Sequence, residues 1–360
     1  MFTGIFPPLP TPFKEDGALD LEALRANVEQ LNPTGLSGYL ALGSNSEAVH
    51  VTPDEASQVF ATVCKAAAPD KVVIGGTGQF STQATIEMTK RAADAGCVAA
   101  LIITPFYYKN SMTADALRTH YHTIADQSPI PVMIYNVPAN TGFNIAPNIV
   151  AEIAQHPNVI GLKDSAGDIN QLAEVVRLTR SKMQDAGGKM QEAGGKHSAR
   201  RAPDAERRTG RERSEAESTP GGPPPQSGGH GQDAVSTNVA LRSASSAEFV
   251  VFSGNYGAML PGLTFGIVGA ILAVANIAPN ECVEIFNLFR QGKIEEAGNL
   301  HLQLLPVARA VTSQFGVPGL KAAMNRLGYH GGWPRRPLLP LGANQQSEVE
   351  KMLKEAELLS

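Results

Sequence analysis

The chain has 360 residues, 42% of them hydrophobic, a formal net charge of -4 and three cysteines. That length can bury roughly three quarters of its unfolded surface, and the weak negative charge argues against a nucleic-acid-binding protein with a basic face. The cysteines (Cys64, Cys97, Cys282) form no CxxC pair, the start carries no charged or apolar leader, and the apolar stretch over 265–277 is too short to cross a bilayer. A reduced, cytoplasmic protein with no membrane or nucleic-acid partner is expected.

Strands and helices alternate from the start. A short apolar strand at 4–6 precedes Pro7-Pro8, and Asp20 precedes a helix with Leu21, Leu24, Val28 and Leu31 on one face. A strand over 38–42 ends in Gly43-Ser44-Asn45-Ser46-Glu47. Thr52-Pro53-Asp54-Glu55 starts a helix with a threonine cap, a proline in the first turn and a glutamate closing a capping box. A strand over 72–75 leads to a helix capped by Ser81. The strand over 98–103 ends in Thr104-Pro-Phe-Tyr107-Tyr108, and Thr113 caps the next helix. The strand over 131–135 ends in Asn136-Val-Pro-Ala-Asn140-Thr-Gly142, before a helix over 147–155.

The sixth strand, Val159-Ile-Gly-Leu-Lys163, runs into Asp164-Ser165-Ala-Gly-Asp168. Lysine at the end of a buried strand is costly unless it is paired, reaches water or reacts. Asp164 is one available partner; the other reading is a desolvated amine nucleophile. A helix follows over 169–180. Strands over 249–252 and 266–273 make the seventh and eighth. Helices over 281–290, 294–311, 318–327 and from 347 follow, around a Gly/Pro-rich segment at 328–340.

Eight strand–helix units are the count of a (β/α)8 TIM barrel, an α/β fold, here over 1–290, with a C-terminal helical extension over 291–360. An open doubly wound sheet is the other candidate. Its dinucleotide loop would have to be Gly75-Gly76-Thr77-Gly78, which lacks the third glycine. Residues 181–247 break the rhythm: Ala-Gly-Gly-Lys occurs at 186 and 193, arginines cluster at 200–213, and large apolar residues are almost missing. Disorder is predicted there. A tolerated insertion, a basic interaction arm and retained intron sequence all fit; the repetitive character favours the last. The segment joins a helix to a strand, on the barrel face opposite the site.

The carboxyl ends of barrel strands converge on one site. They carry Ser44, Asn45, Glu47, Tyr107, Tyr135, Asn140, Lys163, Ser165 and Gly254, with Ile271 on the eighth strand as a further substrate contact. Each has a plainer reading: a half-buried tyrosine for Tyr107 and Tyr135, a helix cap for Ser44 and Asn45. Together they form an amine with phenols and short polar groups, which suits Schiff-base chemistry on a ketone. None of the eight histidines forms an HExxH pattern; surface or capping roles are expected for them, and no metal site.

Four loops carry a resemblance: Gly43-Ser-Asn-Ser-Glu47, Thr104-Pro-Phe-Tyr107, Tyr135-Asn-Val-Pro-Ala-Asn140-Thr-Gly142 and Gly161-Leu-Lys163-Asp-Ser165. They resemble the dihydrodipicolinate synthase/N-acetylneuraminate lyase superfamily, over all the chain except 181–247. Pro-Ala-Asn-Thr-Gly, Lys-Asp-Ser, and Phe315-Gly-Val-Pro-Gly-Leu-Lys321 with Gly328-Tyr-His-Gly-Gly332 make the 4-hydroxy-2-oxoglutarate aldolases the nearest group. The resemblance implies a pyruvate-dependent class I aldolase, commonly a homotetramer, with no cofactor beyond the Schiff base. It implies that Lys163 forms the Schiff base, Tyr135 handles the proton, and Ser44 and Asn45 hold the pyruvyl carboxylate. Tyr107 would join a proton relay across a subunit interface, and Ser165 and Gly254 would line the distal substrate. Two departures stand out. Dihydrodipicolinate synthases usually carry arginine where this chain has Asn140, and Ser46 replaces a usual glycine, which would strain the loop if that position needs a positive φ. Other outcomes are a 2-keto-3-deoxy sugar acid aldolase, dihydrodipicolinate synthase itself, a non-catalytic ligand-binding relative and a nicotinamide-dependent oxidoreductase.

Overall fold

The computed structural model describes residues 2–180 and 249–359; the segment predicted to be disordered, 181–247, lies outside the described residues. Eight strands appear where hydrophobic runs meet polar turns: β1 (Gly4–Phe6), β2 (Gly38–Ala41), β3 (Val72–Gly76), β4 (Ala99–Ile103), β5 (Val132–Asn136), β6 (Val159–Asp164), β7 (Val250–Ser253) and β8 (Gly269–Ile271). All ladders are parallel, in the order β1-β8-β7-β6-β5-β4-β3-β2. The seam between β1 and β2 is closed by the chain just after β1. Leu40 N donates to Pro7 O at 3.0 Å and Leu9 N to Leu40 O at 2.9 Å. Pro7 and Pro8 have no N–H to donate, so here the seam uses the Pro7 carbonyl and the Leu9 N–H, beside Ser37 N donating to Ile5 O at 3.0 Å. The result is a (β/α)8 barrel.

The barrel interior is a packed core, as eight-stranded barrels require. Phe6, Leu40, Ile74, Leu101, Met133 and Phe252 fill it, with Phe6 and Phe252 edge to face at 5.6 Å.

One irregularity sets the register of β6. Val132 pairs with Val159, but Met133 pairs with Gly161, so Ile160 is one extra residue. Such a bulge shifts the side-chain alternation by one position. Tyr135 consequently lies opposite Lys163, and Asn136 opposite Asp164. Regular pairing would have set Tyr135 opposite Leu162.

Helices α1 (Leu21–Leu31), α2 (Pro53–Ala66), α3 (Thr82–Asp94) and α4 (Ala114–Gln127) start at their expected caps: Asp20, Thr52, Ser81 and Thr113 each accept from a backbone N–H of the first turn. A single turn, α5 (Pro138–Thr141), precedes α6 (Pro147–Ile153), and α7 covers 169–180. Helix α8 (Tyr256–Phe265) was not predicted. Its run is apolar on every side and so shows no helical period. Gly266, expected in the eighth strand, ends this helix at φ 106°, a conformation suited to glycine. The C-terminal helices are α8's successors α9 (Pro279–Arg290), α10 (Ile294–Arg309), α11 (Gly316–Arg326) and α12 (Ala343–Glu355). A π turn at Ala310–Gln314 separates α10 from α11.

Two histidines depart from expectation. His120 and His301 are buried. His120 Nδ1 lies 2.9 Å from Thr82 Oγ1, and burial lowers its pKa to about 4. His301 stacks flat on Tyr256, centroids 4.3 Å apart.

Candidate active site

Lys163 points into the barrel from the end of β6 and is buried. Its Nζ lies 4.3 Å from the centroid of the Tyr135 ring, a cation–π distance. No carboxylate pairs with it among the described residues. Burial holds its pKa below the ordinary 10.5, against an opposing pull from Tyr135. Desolvation penalises the ammonium and favours the neutral amine, which is the nucleophile.

Asp164 does not pair with Lys163, contrary to one sequence reading. Alternation along β6 turns it outward. Its Oδ1 accepts from Asn136 Nδ2 at 3.1 Å and Ala166 N at 2.8 Å, and its Oδ2 from Gln171 Nε2 at 3.3 Å. Asn144 bridges Asn136 and Gln171. This network ties the loops after β5 and β6 to α7. Burial raises the Asp164 pKa, while these bonds pull it back.

Tyr135 is buried on β5, and its hydroxyl lies 3.2 Å from Ser44 Oγ. Ser44 and half-buried Asn45 sit in a 3-10 turn, Ser44–Ser46. The chain thus brings Lys163, Tyr135 and Ser44 together from three strand ends. Gly254 completes this wall: a Cβ there would stand 2.9 Å from Lys163 Cε and 1.9 Å from Ser165 Oγ. Gly254 N donates to Asp164 O at 2.6 Å, and Ser165 N to Asn136 O at 2.8 Å. Ile271 lies in the barrel core opposite Phe6.

Two expected residues stand apart. Tyr107 is 72% exposed, packed edge-on against Tyr108 at 5.0 Å and Phe80 at 6.2 Å, so within one chain it does not meet Tyr135. Asn140 is exposed on α5. Near it, a Cβ on Gly142 would meet Lys109 Nζ at 3.2 Å, which sets an unpredicted cation at this rim.

The strain feared at Ser46 lies elsewhere. Ser46 sits inside the 3-10 turn, and its hydroxyl accepts from Gly43 N at 3.1 Å and donates to Leu9 O. Glycine could not supply that tie. Glu47 instead takes the left-handed backbone, at φ 57° and ψ 38°, a cost of about 1 kcal/mol or more for a residue with a side chain. Its buried carboxylate meets Lys321 Nζ at 2.6 Å as an ion pair, His50 Nδ1 at 3.2 Å and Arg335 N at 2.8 Å. Lys321 is equally buried, and burial lowers its pKa to about 8. The pair was missed in the sequence. Its one signal was a lysine between Leu320 and Ala323 on an apolar helix face.

A barrel with a desolvated amine facing a phenol defines the class: carbon–carbon lyases of the aldolase kind. The sequence profile of the dihydrodipicolinate synthetase family matches residues 1–190 and 230–356, and the chain belongs to that family. The 4-hydroxy-tetrahydrodipicolinate synthase of Methanothrix thermoacetophila is 31% identical over 353 residues, covering 98% of this chain and 96% of that protein. The enzyme of the same name from an Exiguobacterium species is 30% identical, covering 97% and 96%. The crystal structure of dihydrodipicolinate synthase from Thermotoga maritima superposes with a TM-score of 0.77 at 27% identity, over the whole of both chains. Among the described residues no helix is long and apolar enough to cross a membrane.

Proposed function

We propose that this lyase cleaves 4-hydroxy-2-oxoglutarate to pyruvate and glyoxylate through a Schiff base on Lys163. What carries the reading is the register that sets the desolvated Lys163 amine against the Tyr135 phenol. The neutral amine adds to the C2 ketone and water leaves, giving an iminium. Tyr135 gives its own proton to the C2 hydroxyl as that leaves, the resulting phenolate takes the C4 hydroxyl proton, the C3–C4 bond breaks, and its electron pair enters the iminium to form an enamine. Glyoxylate departs. The enamine is protonated at C3, and water hydrolyses the imine to pyruvate. The iminium is the electron sink, so the route uses no cofactor. Ser44 and Asn45 hold the C1 carboxylate, Ser165, Gly254 and Ile271 bound the pocket, and Tyr107 reaches the relay of a neighbouring subunit in a homotetramer.

The relatives' own names point instead to synthesis of 4-hydroxy-tetrahydrodipicolinate. Asn140 favours the other reading, because the resemblance places there the arginine that dihydrodipicolinate synthases usually carry. Lys109 beside Gly142 supplies a positive charge for the distal carboxylate instead.

Pyruvate release would be measured from 4-hydroxy-2-oxoglutarate, 2-keto-3-deoxy-hexonates, oxaloacetate and N-acetylneuraminate, beside borohydride trapping with pyruvate. The expected result is preferential release from the first and added mass at Lys163. Absence of an adduct, with Lys163→Ala still active, refutes the mechanism; preference for a sugar acid refutes the substrate.

A further inference from the structure

We infer that Glu47 and Lys321 are a positioning pair, through which the C-terminal helices hold the Ser44–Asn45 turn in its carboxylate-binding shape. The inference rests on the reading that this turn holds the pyruvyl carboxylate. Glu47 closes the 3-10 turn that begins at Ser44, and Ser44 lies 3.2 Å from the Tyr135 hydroxyl. A left-handed residue at a turn's end is usually glycine or asparagine. Glutamate gains something there that neither can offer, since this backbone sends its carboxylate inward to Lys321 Nζ at 2.6 Å.

Lys321 brings two further segments to the same point. Its Nζ donates to Thr11 O at 2.8 Å, in the loop after β1, and to Trp333 O at 2.7 Å, in the Gly/Pro-rich segment. The ring of Phe13 lies 4.7 Å from Nζ and 4.1 Å from the Arg335 guanidinium carbon. Arg335 reinforces the join: its N donates to the second Glu47 oxygen at 2.8 Å, and its guanidinium grips Glu55 at 2.7 and 2.8 Å and His50 O at 2.7 Å. The turn is therefore fixed on both sides, by Ser46 to Leu9 and by Glu47 to the C-terminal helices. Neither Glu47 nor Lys321 touches the Lys163–Tyr135 centre, so the pair acts through Ser44 and Asn45.

The test uses the full chain and three variants: Glu47→Gln, Lys321→Met and Leu353→Ala. Leu353 is a buried residue of α12 outside the pair, and it controls for lost stability. Two readouts are taken well below the melting temperatures. These are hydrogen exchange of the peptide covering 42–50, and the pyruvate concentration that half-saturates borohydride trapping at Lys163. Both pair variants should exchange about tenfold faster in that peptide and need about tenfold more pyruvate, with the maximal trapping rate little changed. Leu353→Ala should do neither. The inference is overturned if the pair variants exchange no faster than Leu353→Ala, or if the turn loosens while half-saturation stays put. A wild-type chain that traps no pyruvate would instead refute the proposed function, and the exchange readout would then decide the tether alone.

Discussion

Gly254→Ala probes the wall behind Lys163. The added Cβ would stand 2.9 Å from Lys163 Cε, where carbon–carbon contacts settle at roughly 3.5–4.0 Å. Relief therefore needs a displacement of about 0.6–1.1 Å. Ser165 Oγ, at 1.9 Å, can swing away by rotating about its Cα–Cβ bond. Lys163 has no such freedom, because moving off Gly254 changes its approach to Tyr135. A misplacement of about 1 Å costs on the order of a hundredfold in rate, and the overpacking costs about 1–3 kcal/mol of stability. The assay is the initial rate of pyruvate-dependent borohydride labelling of Lys163, followed by mass spectrometry, beside a thermal melt. Adding Ser165→Gly should restore part of the stability and little of the rate. Wild-type labelling in folded Gly254→Ala protein would refute the steric argument.

Three further outcomes are expected. Tyr135→Phe removes the hydroxyl beside Ser44 and should slow cleavage by about 10²–10⁴-fold while pyruvate still traps on Lys163; turnover and trapping measured together separate the two. Because burial lowers the Lys163 pKa from 10.5, the trapping rate should rise with pH and level off below 10.5. The same shift lowers stability where the ammonium persists: between the folded pKa and 10.5 the unfolded chain binds more protons, so stability rises with pH. A trapping profile that levels off only at the pKa of a free lysine contradicts the burial argument. Asp164→Ala leaves Asn136 and Ala166 N without their acceptor and should cost about 1–3 kcal/mol in a denaturant titration, with trapping at Lys163 retained. If trapping is lost in a folded variant, Asp164 has a direct role.

Most of the barrel is legible in the sequence because its caps and strand ends are local signals. Thr52-Pro53-Asp54-Glu55 starts α2 as expected, and seven of the strand–loop junctions follow from apolar runs meeting glycine, proline or short polar residues. Helix α8 is not legible, since an apolar run without a period looks the same in a strand and in a buried helix. The strand ends also give Lys163, Tyr135 and Ser44. That they meet depends on register, which the bulge at Ile160 sets. Glu47 and Lys321 are 274 positions apart, and nothing local to either marks the other. Tyr107 follows a strand end as the site residues do, yet within one chain its ring lies among other exposed aromatics.

The extra residue in β6 has its own consequence. Ile160 is an ordinary apolar core side chain, and exchanging it for valine or leucine should leave the strand much as it is. Removing it would leave Val159 opposite Val132 and give an unbulged ladder in which Met133 still meets Gly161 and Tyr135 still meets Lys163. The bulge therefore absorbs one residue of length without moving the lysine. A residue added between Gly161 and Lys163, with no second bulge to take it up, would instead turn Lys163 toward the helices and bring Asp164 into the barrel. Length is tolerated on one side of Gly161 and not on the other, although both sides read as the same apolar strand.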